Sequence, residues 1–355
     1  MQALTGKRVT LGDIAQRAGV SKAAVSLALR NNHSISLKRR EEIKRVAEEM
    51  GYHPDPLLAS LVAYREGGRQ IKIHSGLAWI NHWDEPERLR QYREFDAYWR
   101  GASSAAARFG YRLEEIQWPQ GCSAKRMEQI LSARGIQGVL IPPHHELLDW
   151  GDFDWNKFSV IRFGMSVQNP DSNLVTSDTF RAIVMAIRKI HEHGYQRIGF
   201  TVNGEFNERL GGNYLGGHLT AQKILKLQKP LPPLLTFLKS RSMDELNRQK
   251  AALQKWLARH KPEAILTADM EMPIMLRELG YRIPQDIAVA GTTALDIPGV
   301  DAGIDQHSEA IGRIAVEMLV KQINVSERGE PVDPCRILVE SRWQDGKTLP
   351  PRASC

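Results

Sequence analysis

Residues 9–51 place apolar side chains at helical spacing in three short segments. Thr10 is a favourable N-cap for the first helix, and Asp13, three residues later, can complete a capping box with it. Gly19 is suited to end that helix, because glycine adopts the left-handed conformation at low cost. Ser21 can then cap a second helix after a short turn. Two helices joined by so short a turn and followed by a third predict a helix-turn-helix domain.

After residue 72 the pattern changes, because short apolar runs now alternate with amphipathic segments. The runs at 76–80, 138–141 and 264–267 predict buried strands, and the segment 88–109 predicts a long helix. Alternation of this kind is typical of parallel sheets with helices on both faces. The predicted strands are too many for one six-stranded sheet, so we expect two lobes.

The composition is that of a soluble globular protein. The chain has 355 residues, of which 42% are hydrophobic and 25% are charged, so disorder is excluded as its main feature. Its 3 cysteines lack both a disulfide framework and the close spacing of a zinc site, which favours a reducing cytosol and predicts no metal. No apolar run approaches the roughly 20 residues that span a bilayer. The N-terminus also lacks the apolar core of a signal peptide.

The charge is distributed unevenly. Residues 1–72 hold 13 basic and 7 acidic side chains, a net charge of +6 out of +7 for the whole chain. Such a local excess favours a polyanion, either nucleic acid or an anionic membrane, as the partner. The alternative from charge alone is a solvated basic face without any partner.

The side chains on the outward face of the second helix indicate which of these partners is favoured. Its side chains are short or cationic, so the helix can approach a groove closely and donate hydrogen bonds to bases or phosphates. The residues on this face are Ser21, Lys22, Ala23, Ser26, Leu27 and Arg30. A small helical bundle for protein contacts is the alternative, but the capped helices, the turn and the charge together favour DNA.

The run of residues 9–26, VTLGDIAQRAGVSKAAVS, resembles the opening of the LacI/GalR family of bacterial repressors, and residues 35–36 and 51–54 continue the resemblance. The resemblance implies that Lys22, Ala23 and Leu27 read bases in the major groove. It also implies that Ser21 and Ser26 hold phosphates, and we add Thr10 and Arg30 to the predicted DNA-binding set. The sequence departs from the family at Leu27, where a polar residue is frequent, and at Arg30, where asparagine is usual.

Residues 54–72 are predicted to form a hinge helix and a linker between a DNA-binding domain, 1–53, and a domain at 73–355. Asp55 can cap a short helix that starts at Pro56, and two turns are marginal unless something packs on them. The resemblance implies that this helix folds on the operator and that Leu61 wedges into the minor groove. The alternatives are a core helix or a plain linker.

Residues 73–355 resemble the two-lobed α/β effector domain of the same family and of periplasmic sugar-binding proteins. Ligand sites in such folds lie beyond the carboxyl ends of the strands. The effector-binding residues that we predict are Trp83, Phe95, Arg209, Asn213 and Asp269. The family commonly has arginine where Asn213 stands, so Arg209 is expected to take over. Thr293 stands where an aspartate is frequent. For three candidates a structural role is the alternative: Phe95 in the core, Trp83 at the surface or a dimer contact, and Asp178 as a helix cap.

The predicted function is a cytoplasmic, nucleoid-associated transcription regulator, acting as a repressor. It is expected to be a homodimer that binds a palindromic operator in double-stranded DNA and responds to a small-molecule effector, a carbohydrate. Neither a cofactor nor a membrane partner is expected. The alternatives are a sugar-active α/β enzyme and a regulator controlled by a protein partner. No GxGxxG, P-loop, HExxH or GxSxG motif supports an enzyme. A pure solute-binding protein is disfavoured by residues 9–61.

Overall fold

The computed structural model describes residues 9–29, 35–50, 75–227, 229–236 and 242–352. The chain divides into two compact units, Met1–Lys72 and Ile73–Cys355. The described helices of the first unit are α1 (Leu11–Ala18), α2 (Lys22–Leu29) and α3 (Leu37–Glu49).

The capping box predicted for α1 is present. The Asp13 carboxylate accepts the backbone N–H of Thr10 at 2.8 Å, and the Thr10 hydroxyl accepts the backbone N–H of Asp13 at 3.4 Å. Gly19 ends the helix in the left-handed conformation with φ of 62°. The three helices enclose one apolar core, whose fully buried members are Ile14, Val25, Ala28 and Ile43. Arg39 of α3 donates to the Ala18 carbonyl at 3.2 Å and thereby ties the third helix to the end of the first.

The second unit contains two six-stranded sheets, which confirms the prediction of two lobes. The strands of the first lobe are β1 (Ser75–Asn81), β2 (Tyr111–Gln117), β3 (Ile136–Ile141), β4 (Ser159–Phe163), β5 (Asn173–Ser177) and β11 (Arg336–Val339). Those of the second lobe are β6 (Ile198–Asn203), β7 (Leu234–Thr236), β8 (Ala264–Thr267), β9 (Ala288–Gly291), β10 (Gly303–Asp305) and β12 (Arg342–Gln344). The strand orders are β11-β5-β4-β3-β1-β2 and β12-β10-β9-β8-β6-β7, and the described pairings are parallel except that of β10 with β12.

Helices lie between the strands as the alternating pattern predicts. They are α4 (Pro86–Gln91), α5 (Arg93–Arg108), α6 (Ala124–Ala133), α7 (Thr179–Glu192), α8 (Gly204–Arg209), α9 (Asn213–Ile224), α10 (Met243–His260), α11 (Met272–Glu278) and α12 (Ser308–Asn324). The long helix predicted at 88–109 is in fact two, since Tyr92 is extended, with φ of −71° and ψ of 112°, and separates α4 from α5. Among the described residues, no helix combines the length and apolar character needed to cross a membrane.

Each sheet is covered on both faces, so its strands bury alternate residues in two separate cores. In β1, Leu77 and Trp79 pack on the side of α5 and α12, while Ala78 and Ile80 pack on the side of α6. Strand β5 was not predicted, because its sequence NLVTS mixes polar and apolar residues although all five are buried.

The chain passes between the lobes three times. It does so from β5 into α7, from β10 into α12 and from β11 into β12. Two hydrogen bonds tie these crossings together: Ser177 donates to the Gln306 side chain at 3.2 Å, and the backbone N–H of Asp178 donates to the Val339 carbonyl at 2.9 Å. Three bonded crossings at one side leave the other side of the cleft between the lobes as its mouth.

Helices α5 and α12 cross at two glycines, and no side chain fits between them. A Cβ atom on Gly101 would lie 1.9 Å from the Glu309 carbonyl oxygen, and one on Gly312 would lie 2.0 Å from the Tyr98 carbonyl oxygen. This close crossing fixes the position of α5 as a whole, and its first turn carries residues of the cleft.

Candidate functional site

The outer face of α2 carries the residues that were predicted to contact DNA. Ser21, Lys22 and Ala23 are exposed, whereas Ser26 and Leu27 are half-buried. Val25 and Ala28 of the same helix are fully buried, so the helix presents one face to the core and the other to solvent. Arg30 and Leu61 lie outside the described residues.

The hydroxyl groups near this face differ in whether they can still donate a hydrogen bond. Ser21 caps α2, because its Oγ accepts the backbone N–H of Ala24 at 3.1 Å. Its O–H hydrogen therefore stays available to donate to a phosphate. The Thr10 hydroxyl donates to the Asp13 carboxylate at 2.7 Å, so its hydrogen is already used within the capping box.

Lys22 lies across the start of α1. A Cβ atom on Gly12 would come within 2.8 Å of the Lys22 Cε, so the absence of a side chain at Gly12 makes room for the lysine stem. The ammonium group therefore lies beside the N-terminus of α1, on the exposed side of the domain.

The second candidate site is the cleft between the lobes. One of its acids, Asp269, has a strongly shifted pKa. It follows β8, and its Oδ1 accepts the Thr236 hydroxyl at 3.1 Å. Burial raises its pKa to about 6, and the Thr236 hydrogen bond only partly offsets this effect. Its Oδ2 is buried and no donor among the described residues meets hydrogen-bond geometry with it, although the Thr201 hydroxyl and the Asn203 N–H are near enough to the carboxylate to lower its pKa as well. A buried acceptor without a partner is costly, so this atom is suited to receive a ligand hydroxyl.

Arg209 ends α8, which follows β6, the neighbour of β8 in the sheet. Its guanidinium donates to the His145 carbonyl of the first lobe, and its Nε is buried without a partner among the described residues. Burial lowers its pKa, while the Glu146 and Glu205 carboxylates act in the opposite direction. Arg209 therefore links the two lobes at the level of the strand ends.

Asn213 begins α9, and the segment between α8 and α9 is a tight turn. Gly211 and Gly212 both have φ of 72°, a conformation that favours glycine and brings the two helices close together. The Asn213 amide donates to the Leu210 carbonyl at 2.8 Å and to the Met165 sulfur of the first lobe at 3.2 Å.

The first lobe contributes an aromatic cluster. Trp83 is 5% exposed and donates its indole N–H to the Pro143 carbonyl at 3.2 Å. Its ring centroid lies 4.5 Å from that of His145 and 6.3 Å from that of Phe95. Phe95 is half-buried against the core of the first lobe, and its ring centroid is 6.1 Å from that of Tyr98. Both predicted aromatics thus belong to the packing of this lobe as well as to the cleft region.

Comparisons with known proteins identify both units. Residues 10–55 match the bacterial regulatory proteins of the lacI family, and residues 187–349 match a periplasmic binding protein-like domain. The HTH-type transcriptional regulator CelR of Thermobifida fusca is 23% identical over 352 residues, which cover 94% of this chain and 96% of the relative.

The chain carries a helix-turn-helix domain of the lacI family of bacterial regulatory proteins, followed by a periplasmic binding protein-like domain.

Solved structures of LacI-type regulators share its fold. A complex of the transcriptional regulator CelR with cellobiose has a TM-score of 0.56 at 20% identity and covers 96% of this chain and 100% of its own. A lac repressor dimer bound to operator and the anti-inducer ONPF has a TM-score of 0.53 at 18% identity, with coverage of 97% and 100%. The predicted family and fold are confirmed, and so is the prediction of a DNA-binding transcriptional regulator instead of an enzyme.

Sequence reasoning missed Glu94, a buried acid of α5 that bonds a residue of the second lobe. Glu94 is 4% exposed, and its carboxylate accepts the hydroxyls of Thr293 and Ser308. Burial raises its pKa, and these two hydrogen bonds act against that shift. The family often has an aspartate where this chain has Thr293. Here Glu94 of the first lobe provides a carboxylate at that point instead. No pattern distinguished Glu94, because an acid in the first turn of a helix is ordinary for helix stability.

A second carboxylate forms hydrogen bonds between the two lobes. Asp296 of the second lobe accepts the backbone N–H groups of Arg93 at 2.7 Å and Glu94 at 3.2 Å, and so satisfies two free donors at the start of α5. Asp178 has a structural role, because its side chain accepts the Arg181 N–H and caps α7. The structural alternative that the sequence left open for Asp178 is therefore confirmed.

The lobes lie close together near the crossings. A cavity there, lined among others by Ser177, Tyr214, Thr292 and Gln306, has a volume of about 10 Å³, which is room for about one water molecule. A larger effector therefore requires the lobes to separate at this point.

Proposed function

We propose that the protein represses transcription as a homodimer that binds a palindromic operator through the exposed face of α2. The observation that carries this proposal is the exposure of Ser21, Lys22 and Ala23 on a capped helix within a unit of net charge +6. Lys22, Ala23 and Leu27 read base edges, while Ser21, Ser26 and Arg30 contact the phosphate backbone. Thr10 meets the DNA at the start of α1, where its hydroxyl has to exchange the Asp13 carboxylate for a phosphate before it can donate to the backbone. A lac repressor dimer bound to operator supports the same assembly by similarity. Because DNA is the partner, the site of action is the cytoplasm, at the nucleoid.

Residues 54–72 act as a hinge between the DNA-binding domain, 1–53, and the effector domain, 73–355. Leu61 is proposed to wedge into the minor groove and bend the operator. Bending is measured directly by the mobility of permuted DNA fragments, and Leu61→Ala should reduce the bend. An unchanged bend would remove Leu61 from this role.

The effector is proposed to be a carbohydrate that binds between the lobes. Asp269 accepts sugar hydroxyls through its unpaired Oδ2, Arg209 and Asn213 donate to sugar oxygens, and Phe95 and Trp83 form the apolar wall. The complex of CelR with cellobiose supports a sugar by similarity. Arg209 and Asn213 already bond atoms of the first lobe, so a ligand that replaces these bonds changes the contact between the lobes.

The experiment is a mobility-shift titration of the purified protein on the DNA that flanks its own gene, with and without mono- and oligosaccharides. A specific, salt-sensitive complex that a sugar weakens or strengthens supports the proposal, since phosphate contacts release counterions. Specific binding that survives deletion of residues 1–60 would contradict the DNA part. If no sugar changes operator affinity, control by a protein partner is the better account.

A further inference from the structure

Gly12, in the first turn of α1, lies against two of the residues that are proposed to contact DNA. A Cβ atom at Gly12 would lie 2.8 Å from the Lys22 Cε, 3.2 Å from the Lys22 Nζ and 3.4 Å from the Thr10 hydroxyl oxygen. Real Cβ atoms essentially never come within 3.0 Å of such a neighbour. The end of the lysine side chain therefore occupies the space that any other residue at position 12 would fill.

The backbone at Gly12 does not itself require glycine. Gly12 is the second residue of α1 and is helical, unlike Gly19, which has the left-handed conformation with φ of 62°. A glycine inside a helix destabilises it relative to alanine. The Thr10 hydroxyl, at 3.4 Å, can accommodate a methyl group at position 12. Among the described residues, the group that such a methyl group has to displace is therefore the end of Lys22.

No polar partner holds the Lys22 ammonium. Lys22 is exposed, and no described residue forms a hydrogen bond or an ion pair with it. Asp13, the acid of this turn, accepts the N–H and O–H groups of Thr10. Packing of the lysine stem on Gly12 thus sets the position of the ammonium, and its three N–H donors stay available for acceptors on DNA.

We infer that Gly12 is a specificity-determining residue of the DNA interface, because the space it leaves open positions the Lys22 ammonium at one base pair of each half-site. The inference rests on the proposed function, in which the exposed face of α2 reads base edges. Residues at the start of a recognition helix contact bases in the major groove, and a lysine there donates to the O6 and N7 acceptors of guanine. Gly12 does not touch the base and acts through Lys22.

A side chain at position 12 should change the sequence that the protein reads without changing its fold. Gly12→Ala displaces only the flexible end of Lys22, and Gly12→Gln puts a longer side chain into the same space. Alanine and glutamine are better helix formers than glycine, so thermal unfolding of the full-length variants should not move to lower temperature. The preference for guanine at the Lys22 position should fall about threefold in Gly12→Ala and about tenfold in Gly12→Gln, because hydrogen bonds weaken steeply when their geometry is distorted.

The test is a binding selection from a pool of DNA duplexes with a randomised central segment. The full-length parent and each variant are incubated with the pool, and sequencing of the retained duplexes gives the base preference at every position. Lys22→Ala identifies the position that the lysine reads. Gln16→Ala, exposed one turn further along α1, is the control and should keep the parental preferences.

A double variant separates positioning of the lysine from a direct effect of the new side chain. If Gly12 acts through Lys22, adding Gly12→Gln to Lys22→Ala should change the base preferences no further. Parental preferences in both Gly12→Ala and Gly12→Gln overturn the inference. A loss that is equal for all sequences, or a change that persists in the Lys22→Ala background, also overturns it, because the new side chain then obstructs the DNA by itself.

The inference and the proposed function fail in different ways. If the parent retains no sequence preferentially, the proposed operator binding is wrong and the inference falls with it. If the parent selects a palindrome and the Gly12 variants select the same one, the proposed function stands and only the inference is overturned. A change confined to the position that Lys22→Ala also alters supports both.

Discussion

The face of α2 and the cleft between the lobes differ in how their residues are brought together. Ser21 to Leu27 are neighbours in sequence and stand on one helix, whose orientation three short helices determine. The cleft joins groups that are far apart in sequence, such as Glu94 with Thr293 and Arg209 with the His145 carbonyl. The first site is therefore local and exposed, whereas the second depends on tertiary structure and is buried.

Burial also gives the two sites different chemistry. Lys22 is exposed, so it can meet phosphates or bases without prior rearrangement. Glu94 is buried, Asp269 is half-buried with its Oδ2 fully buried, and burial raises the pKa of both carboxyls. Burial disfavours the ionised form of these carboxyls, so a ligand of the cleft has to donate hydrogen bonds to them. Ligand affinity should therefore be sensitive to the loss of a single hydrogen-bonding atom and to pH.

The largest effect is expected from the small core of the DNA-binding unit. Ile14 is fully buried against Val25 and Ile43, so Ile14→Ala should cost about 2–5 kcal/mol. A core of this size has little stability to spare, so the unit should unfold and operator binding should be lost. Circular dichroism and mobility shifts measure both losses, and Gln16→Ala, exposed on the same helix, is the control. Sugar binding should remain, and its loss would show that the two sites are not independent.

This contrast also explains what the sequence predicts. Helix caps at Thr10 and Ser21 and the Gly19 turn depend on neighbouring residues, so the pattern revealed the DNA-binding domain directly. The alternation of strands and helices predicted two lobes for a similar reason. Glu94 was missed because its partners Thr293 and Ser308 are about two hundred residues away and nothing local marks the pairing. The short helix α8 was not predicted either, although Asn203 caps it by accepting the Phe206 N–H at 2.9 Å.

Within the cleft, Asp269→Ala should weaken effector binding by about 10- to 100-fold. It removes the unpaired Oδ2 acceptor, and the loss of one partner in a buried hydrogen bond costs roughly 1–3 kcal/mol. Calorimetry with the sugar that shifts operator affinity measures the change. Glu278→Ala is the control, because its partner Lys250 forms a surface ion pair of little energetic value. Operator affinity without sugar should be unchanged in both variants, and parental sugar affinity in Asp269→Ala would make Asp269 structural.

On the DNA face, Lys22→Ala should weaken operator binding by about tenfold. If Lys22 reads a base edge, as proposed, the preference at one position in each half-site should also relax. A loss that is uniform across operator variants, with a salt dependence reduced by about one counterion, would instead make Lys22 a phosphate contact. Lys38→Ala, an exposed lysine of α3, is the matched control.

The smallest expected effect is the pH dependence of sugar affinity. It is the most specific for the cleft, because it follows from the pKa of one carboxyl, that of Asp269. With a pKa of about 6, Asp269 is about nine-tenths ionised at pH 7 and about one-tenth ionised at pH 5. The ionised form accepts a sugar hydroxyl through Oδ2 more strongly than the protonated form does, so sugar affinity should fall by up to about tenfold as the pH is lowered through 6. Asp269→Asn should bind weakly but without this dependence, which separates Asp269 from Glu94 and the histidines of the cleft.

The same carboxyl makes an opposite contribution to the stability of the unliganded protein. Its pKa is raised above 3.8 on folding, so the folded state retains a proton that the unfolded state has lost between about pH 4 and pH 6. Stability should therefore decrease as the pH rises through this window, by up to about 3 kcal/mol for a shift of about two units. Thermal unfolding of the parent and of Asp269→Asn at pH 4.5 and 7.5 measures the difference. If the parent and the variant change in parallel, Asp269 keeps its ordinary pKa, and the cleft loses the feature that sets it apart from the exposed face of α2.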